Sequence, residues 1–564
     1  MKIVFLAGAD RASTRLSIET VCRLSGVEVA AVLLDTERPS FPARLKNLKR
    51  NVRREGLSYV LFRSMELLGD RLDRSAQGLA PREERDALLR KAFPERCLSL
   101  ADIGRKYGFP VIEPGSLNSE KAASVLRDLG ADLGVVLGGR LLKRSTFGVP
   151  RLGCINLHKG RLPEFRGQPP GFWELHEGAP SASVTVHFID DGLDTGDVVA
   201  TQDVAIHEKE TLDSLQKKLD LSGAELLART VADLAAGRAT REKQPDSASK
   251  SHTNPTRRQI RELNQRRPGA VPPGHTPYGL AKVLLYLLFY HARINRLARL
   301  LRRKKGSYPG CVLLYHRVND LSCDTLTTGL AEFAGHLLVL QKYFTPLSTQ
   351  QLFDILTNKK SIPQGAAVIH FDDCYRDVYA NAAPLLTAAG LPAAAFIASG
   401  FVGTKRRFAH DIEKYPVSFE NLSEEEVRGL AAAGFAIGAH TVNHVNLGSL
   451  EAGPASEEIR QSKADLEKLL GKPVDFFSYP FGKRSDLCEQ ARIAVKTAGF
   501  KALFSTYGGL VKNTCDLFDI PRKGAHSEFS PLALMMELDG LSLGDLKKSL
   551  LLRAGRLPKS TRQA

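Results

Sequence analysis

Two adjacent carboxylates, Asp372 and Asp373, close the apolar run Val368-Ile369-His370-Phe371, and two imidazoles follow in His440-Thr441-Val442-Asn443-His444. Carboxylates at the end of an apolar strand sit where βα proteins place their chemistry. Neighbouring side chains point in different directions, so one Asp can hold a cation while the other faces a water. Histidines spaced by four can converge on one ion from a helix turn or a compact loop. One Asp and two His leave coordination positions open, which suits metal-assisted amide hydrolysis: the cation polarises the carbonyl and lowers the pKa of the water. Zinc is the first expectation for the divalent metal. Cobalt, nickel and manganese are accommodated with little discrimination.

A second set lies upstream. Asn156 and His158 alternate in Gly153-Cys154-Ile155-Asn156-Leu157-His158, so they share one face of a strand end. Asp194 follows in Asp190-Asp191-Gly192-Leu193-Asp194-Thr195-Gly196-Asp197. Such a trio can move an acyl group to an amine. The Asn amide donates to the carbonyl oxygen as charge develops. The His removes or relays the amine proton, and the Asp orients the His. Spacing alone leaves open that these residues merely form turns.

Positioning two such sets takes more than one core. At 564 residues the chain calls for two large domains or three smaller ones. Its 43% hydrophobic and 25% charged residues exclude a fibrous or largely disordered chain. From Met1 to about Glu37 the pattern is strand, helix, strand, and Val27–Leu34 reads as a strand buried on both faces. Further strands near 110–112, 134–137 and 154–156 alternate with helical segments, so the expected fold is α/β, a Rossmann-like open parallel sheet. A basic insertion at about 39–95 carries Arg44, Lys46, Lys49, Arg50, Arg53 and Arg54 with Leu45, Leu48 and Val52 at helical spacing. Residues 242–277 read as a linker. An apolar stretch at 279–290 follows, about half a membrane span, and then Arg293, Arg296, Arg299, Arg302, Arg303, Lys304 and Lys305. Such a helix can lie on an anionic bilayer or pack on a second domain. From about Pro309, short apolar strands at 311–315, 366–370 and 393–397 alternate with helices and suggest a distorted (β/α) barrel. The expected boundaries are 1–247, 248–308, 309–545 and a basic tail at 546–564.

The formal charge of +17 implies attraction to polyanions without choosing among them. The eight cysteines form no Cys-x-x-Cys pair and suit a reducing cytoplasm. The apolar N-terminal run is too short for a secretory signal, and no stretch reaches the roughly 18 apolar residues of a spanning helix. The expected location is the cytoplasm, with peripheral contact to the inner face of an anionic membrane.

The order His-Phe-Asp-Asp (370–373), His-Thr-Val-Asn-His (440–444) and Ser478-Tyr479-Pro480-Phe481-Gly482 resembles the polysaccharide deacetylase family, and Leu314-Tyr315-His316-Arg317-Val318 resembles the start of one of its branches. The resemblance covers about Gly310–His526. It implies Asp372 as the general base and Asp373, His440 and His444 as metal ligands. It also implies a backbone N–H of the Pro480-Phe481 turn at the oxyanion and His526 as the general acid. Ser478 stands where many members carry an Arg that orients the base, with Arg522 as the possible replacement, and no Asp-x-x-Asp-Trp motif follows.

Asn-x-His (156–158), Leu162-Pro163-Glu164-Phe165-Arg166-Gly167, Trp173 and Asp190–Asp197 resemble the formyltetrahydrofolate-dependent formyltransferases. That resemblance implies Asn156, His158 and Asp194 as the catalytic trio. It implies a loop at Gly138, Gly139, Arg140 and Leu141 lining the pocket for 10-formyltetrahydrofolate. Gly160-Arg161 replaces the usual Ser-Leu before Leu162-Pro163. The first strand is not followed by Gly-x-Gly-x-x-Gly, so a nicotinamide cofactor is not expected.

Together these point to a bifunctional enzyme acting on an amino sugar held on a nucleotide or lipid carrier. One half would hydrolyse an N-acetyl or N-formyl group and the other would formylate an amine. Nucleic acid is not an expected partner. The alternatives are a methionyl-tRNA formyltransferase with a fused hydrolase and a membrane-surface scaffold with degenerate catalytic folds.

Overall fold

The computed structural model describes residues 1–564 apart from 39, 57, 246–250, 272–275, 305–307, 321–324, 415–418, 526–528 and 548–564. His526 and almost all of the expected basic tail therefore lie outside the described residues, as do Lys305 and parts of the expected linker. The chain divides into two units, residues 1–63 with 96–273 and residues 64–95 with 274–564.

The first unit is built on β1 (Lys2–Ala7), β2 (Glu28–Asp35), β3 (Val111–Gly115), β4 (Leu133–Leu137), β5 (Cys154–His158), β6 (Ser181–Phe188) and β7 (Val198–Ala205). They form one sheet in the order β3-β2-β1-β4-β5-β6-β7. β1 to β5 run parallel, and β6 and β7 are antiparallel. The continuous apolar runs of the central strands follow from burial on both faces. In β1, Ile3, Phe5 and Ala7 enter one core while Val4 and Leu6 enter another. Strand order reverses between β1 and β4, and ligands of such sheets bind outside the carboxyl ends at this switch point. The backbones of Gly8 and Gly139 meet there, and a Cβ on Gly8 would come within 2.4 Å of Gly139 Cα.

The expected basic insertion forms the helices Phe41–Glu55, Ser58–Gln77 and Arg82–Ala92. Within the stretch whose composition reads as a linker, Thr256 and Gln259 make a capping box that starts the helix Arg257–Arg266. That helix places Leu263 in the first unit's core.

The second unit carries β8 (Cys311–Tyr315), β9 (Arg317–Val318), β10 (Thr327–Thr328), β11 (Thr345–Pro346), β12 (Ala366–Phe371), β13 (Ala394–Ile397), β14 (Ala436–Ala439), β15 (Phe476–Ser478), β16 (Ala502–Phe504) and β17 (Lys523–Gly524). Except for the β9-β10 pair these form one parallel sheet, β16-β15-β14-β13-β12-β8-β17, with β11 beside the start of β12. A single segment closes it. Ile520 bridges Phe504 of β16, and three residues on, Lys523 pairs with Leu313 of β8. This is a distorted (β/α) barrel. Among the described residues, no helix is long and apolar enough to cross a membrane.

Candidate active sites

The carboxyl ends of the barrel strands carry the first site. Asp372 and Asp373 follow β12, His440 follows β14 and Ser478 ends β15. Asp373 is almost wholly buried, and its Oδ1 lies 3.5 Å from His440 Nε2 and 3.1 Å from His444 Nε2. One donor atom from each of the three lies within 4.8 Å of the others, a grouping a metal ion could hold together. His440 Nδ1 pairs with the Ser478 carbonyl at 2.8 Å. That bond assigns the proton to Nδ1 and leaves the Nε2 lone pair facing Asp373, as metal-binding histidines require. Asp373 Oδ2 is buried without a hydrogen-bond partner. A buried carboxylate oxygen with no donor is costly unless a cation satisfies it, so the residues fit a metal ion.

The backbone here is strained. Asp373, Thr441, His444 and Phe481 all adopt positive φ, a conformation that costs energy for non-glycine residues and clusters at functional sites. His440 and His444 thus converge from a compact loop rather than from a helix turn. The Phe481 ring packs against His444, with centroids 5.1 Å apart.

Asp372 is held differently. Arg522, fully buried, donates from Nη1 to Oδ1 at 2.8 Å and from Nη2 to Oδ2 at 2.6 Å. Ser478 Oγ donates to Oδ2 at 3.1 Å and accepts from Arg522 Nη2 at 2.6 Å. The guanidinium is fixed in turn by its Nε bond to the Ser505 carbonyl. Burial pushes the Asp372 carboxyl up, but Arg522 and His440 outweigh it and hold it below the usual carboxylate range. Burial likewise pushes Asp373 up, and His440 and His444 hold it well below. Burial lowers His440, yet the two carboxylates raise it above its ordinary value.

Two further histidines border this site. Burial pushes His316, just after β8, down to about 4 despite the pull of both carboxylates. His410 Nε2 lies 3.9 Å from Asp373 Oδ2 and 2.9 Å from Tyr375 Oη. Tyr375 Oη donates to Asp411, which the buried Arg317 also grips at 2.6 Å. Sequence reasoning quoted His316 only as part of a motif and missed His410, whose neighbourhood carries no recognisable spacing. His370 of the same motif sits in the core between Phe396 and Phe504, bonded through Nε2 to Thr349.

The second site lies at the end of β5. Asn156 faces His187 across the β5-β6 ladder, and Asn156 Nδ2 approaches His187 Nε2 at 3.1 Å. Asp194, at φ 54° in the loop after β6, lies between two imidazoles: Oδ2 is 3.6 Å from His158 Nδ1 and Oδ1 is 3.6 Å from His187 Nε2. The loop is pinned by Gln244 Nε2, which donates to the carbonyls of Asp194 and Gly196. The backbone N–H of Gly167 donates to Asp194 Oδ2 at 3.3 Å. Burial lowers His158 against the pull of Asp194. Burial raises Asp194, but the two histidines outweigh it and hold the carboxyl low. Asn156, His158 and Asp194 are therefore brought together, and His187, which sequence reasoning missed, joins them.

Gly138–Leu141 follow β4, beside β5. Gly138 and Gly139 both have positive φ. Arg140 donates to Asp35 from Nε at 2.7 Å and also bonds the Glu37 carboxylate, so it braces the loop against β2. Leu141 is exposed.

Residues 82–231 match the family model described as formyl transferase, and residues 359–503 match the one described as polysaccharide deacetylase. The chain is a fusion of a formyl transferase domain and a polysaccharide deacetylase domain. The methionyl-tRNA formyltransferase of Geobacter metallireducens is 38% identical over 146 residues, 26% of this chain and 47% of that protein. That of Lachnospira eligens is 40% identical over 144 residues, 25% and 46%. The chain thus spans about half the length of the curated relatives it matches. Among solved structures, a Streptococcus pyogenes deacetylase in complex with acetate covers 41% of this chain and 98% of its own at 20% identity, TM-score 0.36. A sugar N-formyltransferase from Shewanella covers 47% and 87% at 14% identity, TM-score 0.29.

Proposed function

We propose that the chain is a bifunctional enzyme of amino-sugar modification. Its second unit hydrolyses a small N-acyl group, acetyl or formyl, from a sugar amide. Its first unit transfers a formyl group from 10-formyltetrahydrofolate to a sugar amine. The observation that carries the reading is the juxtaposition of Asp373, His440 and His444 with an Asp372 held ionised by Arg522.

Asp373, His440 and His444 would hold the divalent metal, which when bound polarises the amide carbonyl and acidifies the attacking water. Asp372, fixed by Arg522 and Ser478, takes a proton from that water. The water oxygen bonds to the carbonyl carbon, the C–N bond breaks, the proton taken by Asp372 passes to the leaving amine, and the carboxylic acid is released. In the first unit, Asn156 donates to the formyl oxygen. The amine nitrogen bonds to the formyl carbon, His158 removes the amine proton with Asp194 orienting its ring, the bond from that carbon to the folate nitrogen breaks, and tetrahydrofolate leaves with a proton. The two chemistries are complementary, because one produces the amine that the other consumes.

The test is to incubate purified protein with N-acetyl and N-formyl sugars on nucleotide and lipid carriers, with and without formyl folate. Acetate or formate release from a matched pair identifies the acyl group removed, and formyl transfer to a sugar amine supports the first unit's role. Absence of both reactions across the panel defeats the reading.

One observation favours a second reading. The curated relatives named above are methionyl-tRNA formyltransferases, and the positive charge suits RNA. Formylation of methionyl-tRNA at a higher kcat/KM than of any sugar amine would select it.

A further inference from the structure

Two separate helical segments present unpartnered apolar stripes among basic residues. The helix Phe41–Glu55 buries no residue. Phe41, Leu45 and Leu48 fall on one stripe at helical spacing, and all are exposed, Phe41 by 73%. Around them stand Arg44, Lys46, Lys49, Arg50, Arg53 and Arg54, with Glu55 the only acid. The helix is tethered at its far end, where Arg54 donates to Thr253 Oγ1 and the Asn254 carbonyl.

The second segment comprises the helices Pro277–His291 and Ile294–Lys304. The first docks through Leu280 and Tyr286, whose hydroxyl accepts from the Leu543 N–H at 3.1 Å. It leaves Leu284 and Leu288 exposed, Leu288 by 61%. The second is inverted relative to an ordinary amphipathic helix. Its polar side packs inward, with Asn295 against Met535 and Arg299 on both carboxylate oxygens of Asp539 at 2.7 and 3.0 Å. Leu297, Leu300 and Leu301 occupy the opposite stripe and are each more than half exposed. Arg293 and Arg296 are exposed too. Residues 277–304 contain no acid.

A soluble helix that buries an Arg–Asp pair and shows three leucines to solvent exposes apolar surface that something must cover. A second copy of this face would bring like charges together. An RNA would neutralise the arginines but leave the leucines wet. An anionic bilayer satisfies both, because leucines enter the acyl boundary while Lys and Arg meet the headgroups. We propose that Phe41–Glu55 and Pro277–Lys304 are lipid-docking elements that hold the protein on the surface of an anionic membrane, without spanning it. The inference does not rest on the catalytic reading and survives its failure.

The test is co-sedimentation of the full chain with phosphatidylcholine vesicles containing or lacking phosphatidylglycerol. Binding is expected to the anionic vesicles only and to weaken as salt is raised. The variant Leu284→Ser/Leu288→Ser/Leu297→Ser/Leu300→Ser should partition about tenfold or more weaker, since each exposed leucine contributes by insertion. Phe41→Ser/Leu45→Ser/Leu48→Ser should behave likewise. Hydrogen exchange of the unmodified chain gives a readout that needs no variant: residues 41–55 and 277–304 should gain protection on anionic vesicles. The proposal is overturned if the chain stays in the supernatant, or if binding is indifferent to the leucine substitutions. It is equally overturned if those substitutions instead dissolve a dimer, or if the segments are protected by RNA and not by vesicles.

Discussion

Arg522 and Asp372 stand 150 residues apart in the chain and form a buried two-pronged ion pair, Nη1 to Oδ1 at 2.8 Å and Nη2 to Oδ2 at 2.6 Å. The guanidinium also reaches Ser478 Oγ. The cation that fixes Asp372 therefore comes from the segment that closes the barrel, and Ser478 supports it. A carboxylate held in this way stays ionised and keeps one orientation.

Asp372→Asn should lower kcat for acyl release by about 10²–10⁴-fold while leaving metal content unchanged. Arg522→Lys keeps the charge but loses the fork, and should lower kcat less than Asp372→Asn does, with little change in KM. Arg522→Ala should also destabilise the second unit by about 3–5 kcal/mol, because it strands a buried carboxylate. Steady-state kinetics with metal analysis checks this. Wild-type kcat in Arg522→Lys would show that the pair is not an orienting device.

Asp373→Asn and His440→Ala remove two of the proposed metal donors, and Asp373 Oδ2 has no protein donor to fall back on. Protein purified without added ions should carry about one divalent ion per chain, and each variant should carry far less. Chelation should stop acyl release and leave formyl transfer intact. Formyl transfer that falls in parallel with chelation would argue against two independent sites.

The barrel and the open sheet were legible because their central strands are apolar runs whose length and spacing admit few other folds. The candidate metal ligands Asp373, His440 and His444, and Asp372 beside them, were legible because they lie in two short local motifs. Arg522 was named only as a substitute, since spacing cannot show a partner that returns after 150 residues. His410 and His187 were not legible as site residues, because tertiary packing alone brings a lone histidine to a carboxylate. Leu263 was hidden by its setting, a polar stretch in which only a few scattered apolar residues reach the core. The helix Ile294–Lys304 shows the same limit: the sequence leaves its packed side open, and Arg299 and Asn295, not its leucines, turn inward.

In the first unit, His158→Ala and Asn156→Ala should each lower formyl transfer about 10²–10⁴-fold and leave acyl release unchanged. His187→Ala should cost less, about tenfold, because His187 contacts Asn156 and Asp194 and acts through them. Parallel assays of both activities on each variant check the assignment. Unchanged formyl transfer in His158→Ala would remove it from the proton-transfer role.

Glu174 supplies a stability test that is independent of catalysis. It is 2% exposed on the helix Phe172–Glu177, and its Oε1 has no hydrogen-bond partner. Burial pushes its carboxyl up to about 7. The folded state therefore binds this proton more tightly than the unfolded chain does. Its contribution is fully present below the ordinary carboxylate value of 4.5 and is lost as pH rises through about 7. The effect is on the order of 3 kcal/mol. Trp173, the only tryptophan in the chain, is the adjacent residue and reports on this helix. The fluorescence-detected unfolding midpoint should fall between pH 5 and pH 8, by roughly the amount that 3 kcal/mol represents for a unit of this size. Glu174→Gln keeps the shape and removes the titration, so its midpoint should be nearly flat over that range and above wild type at pH 8. An equal slope in the variant and the wild type would mean that other groups set the pH dependence.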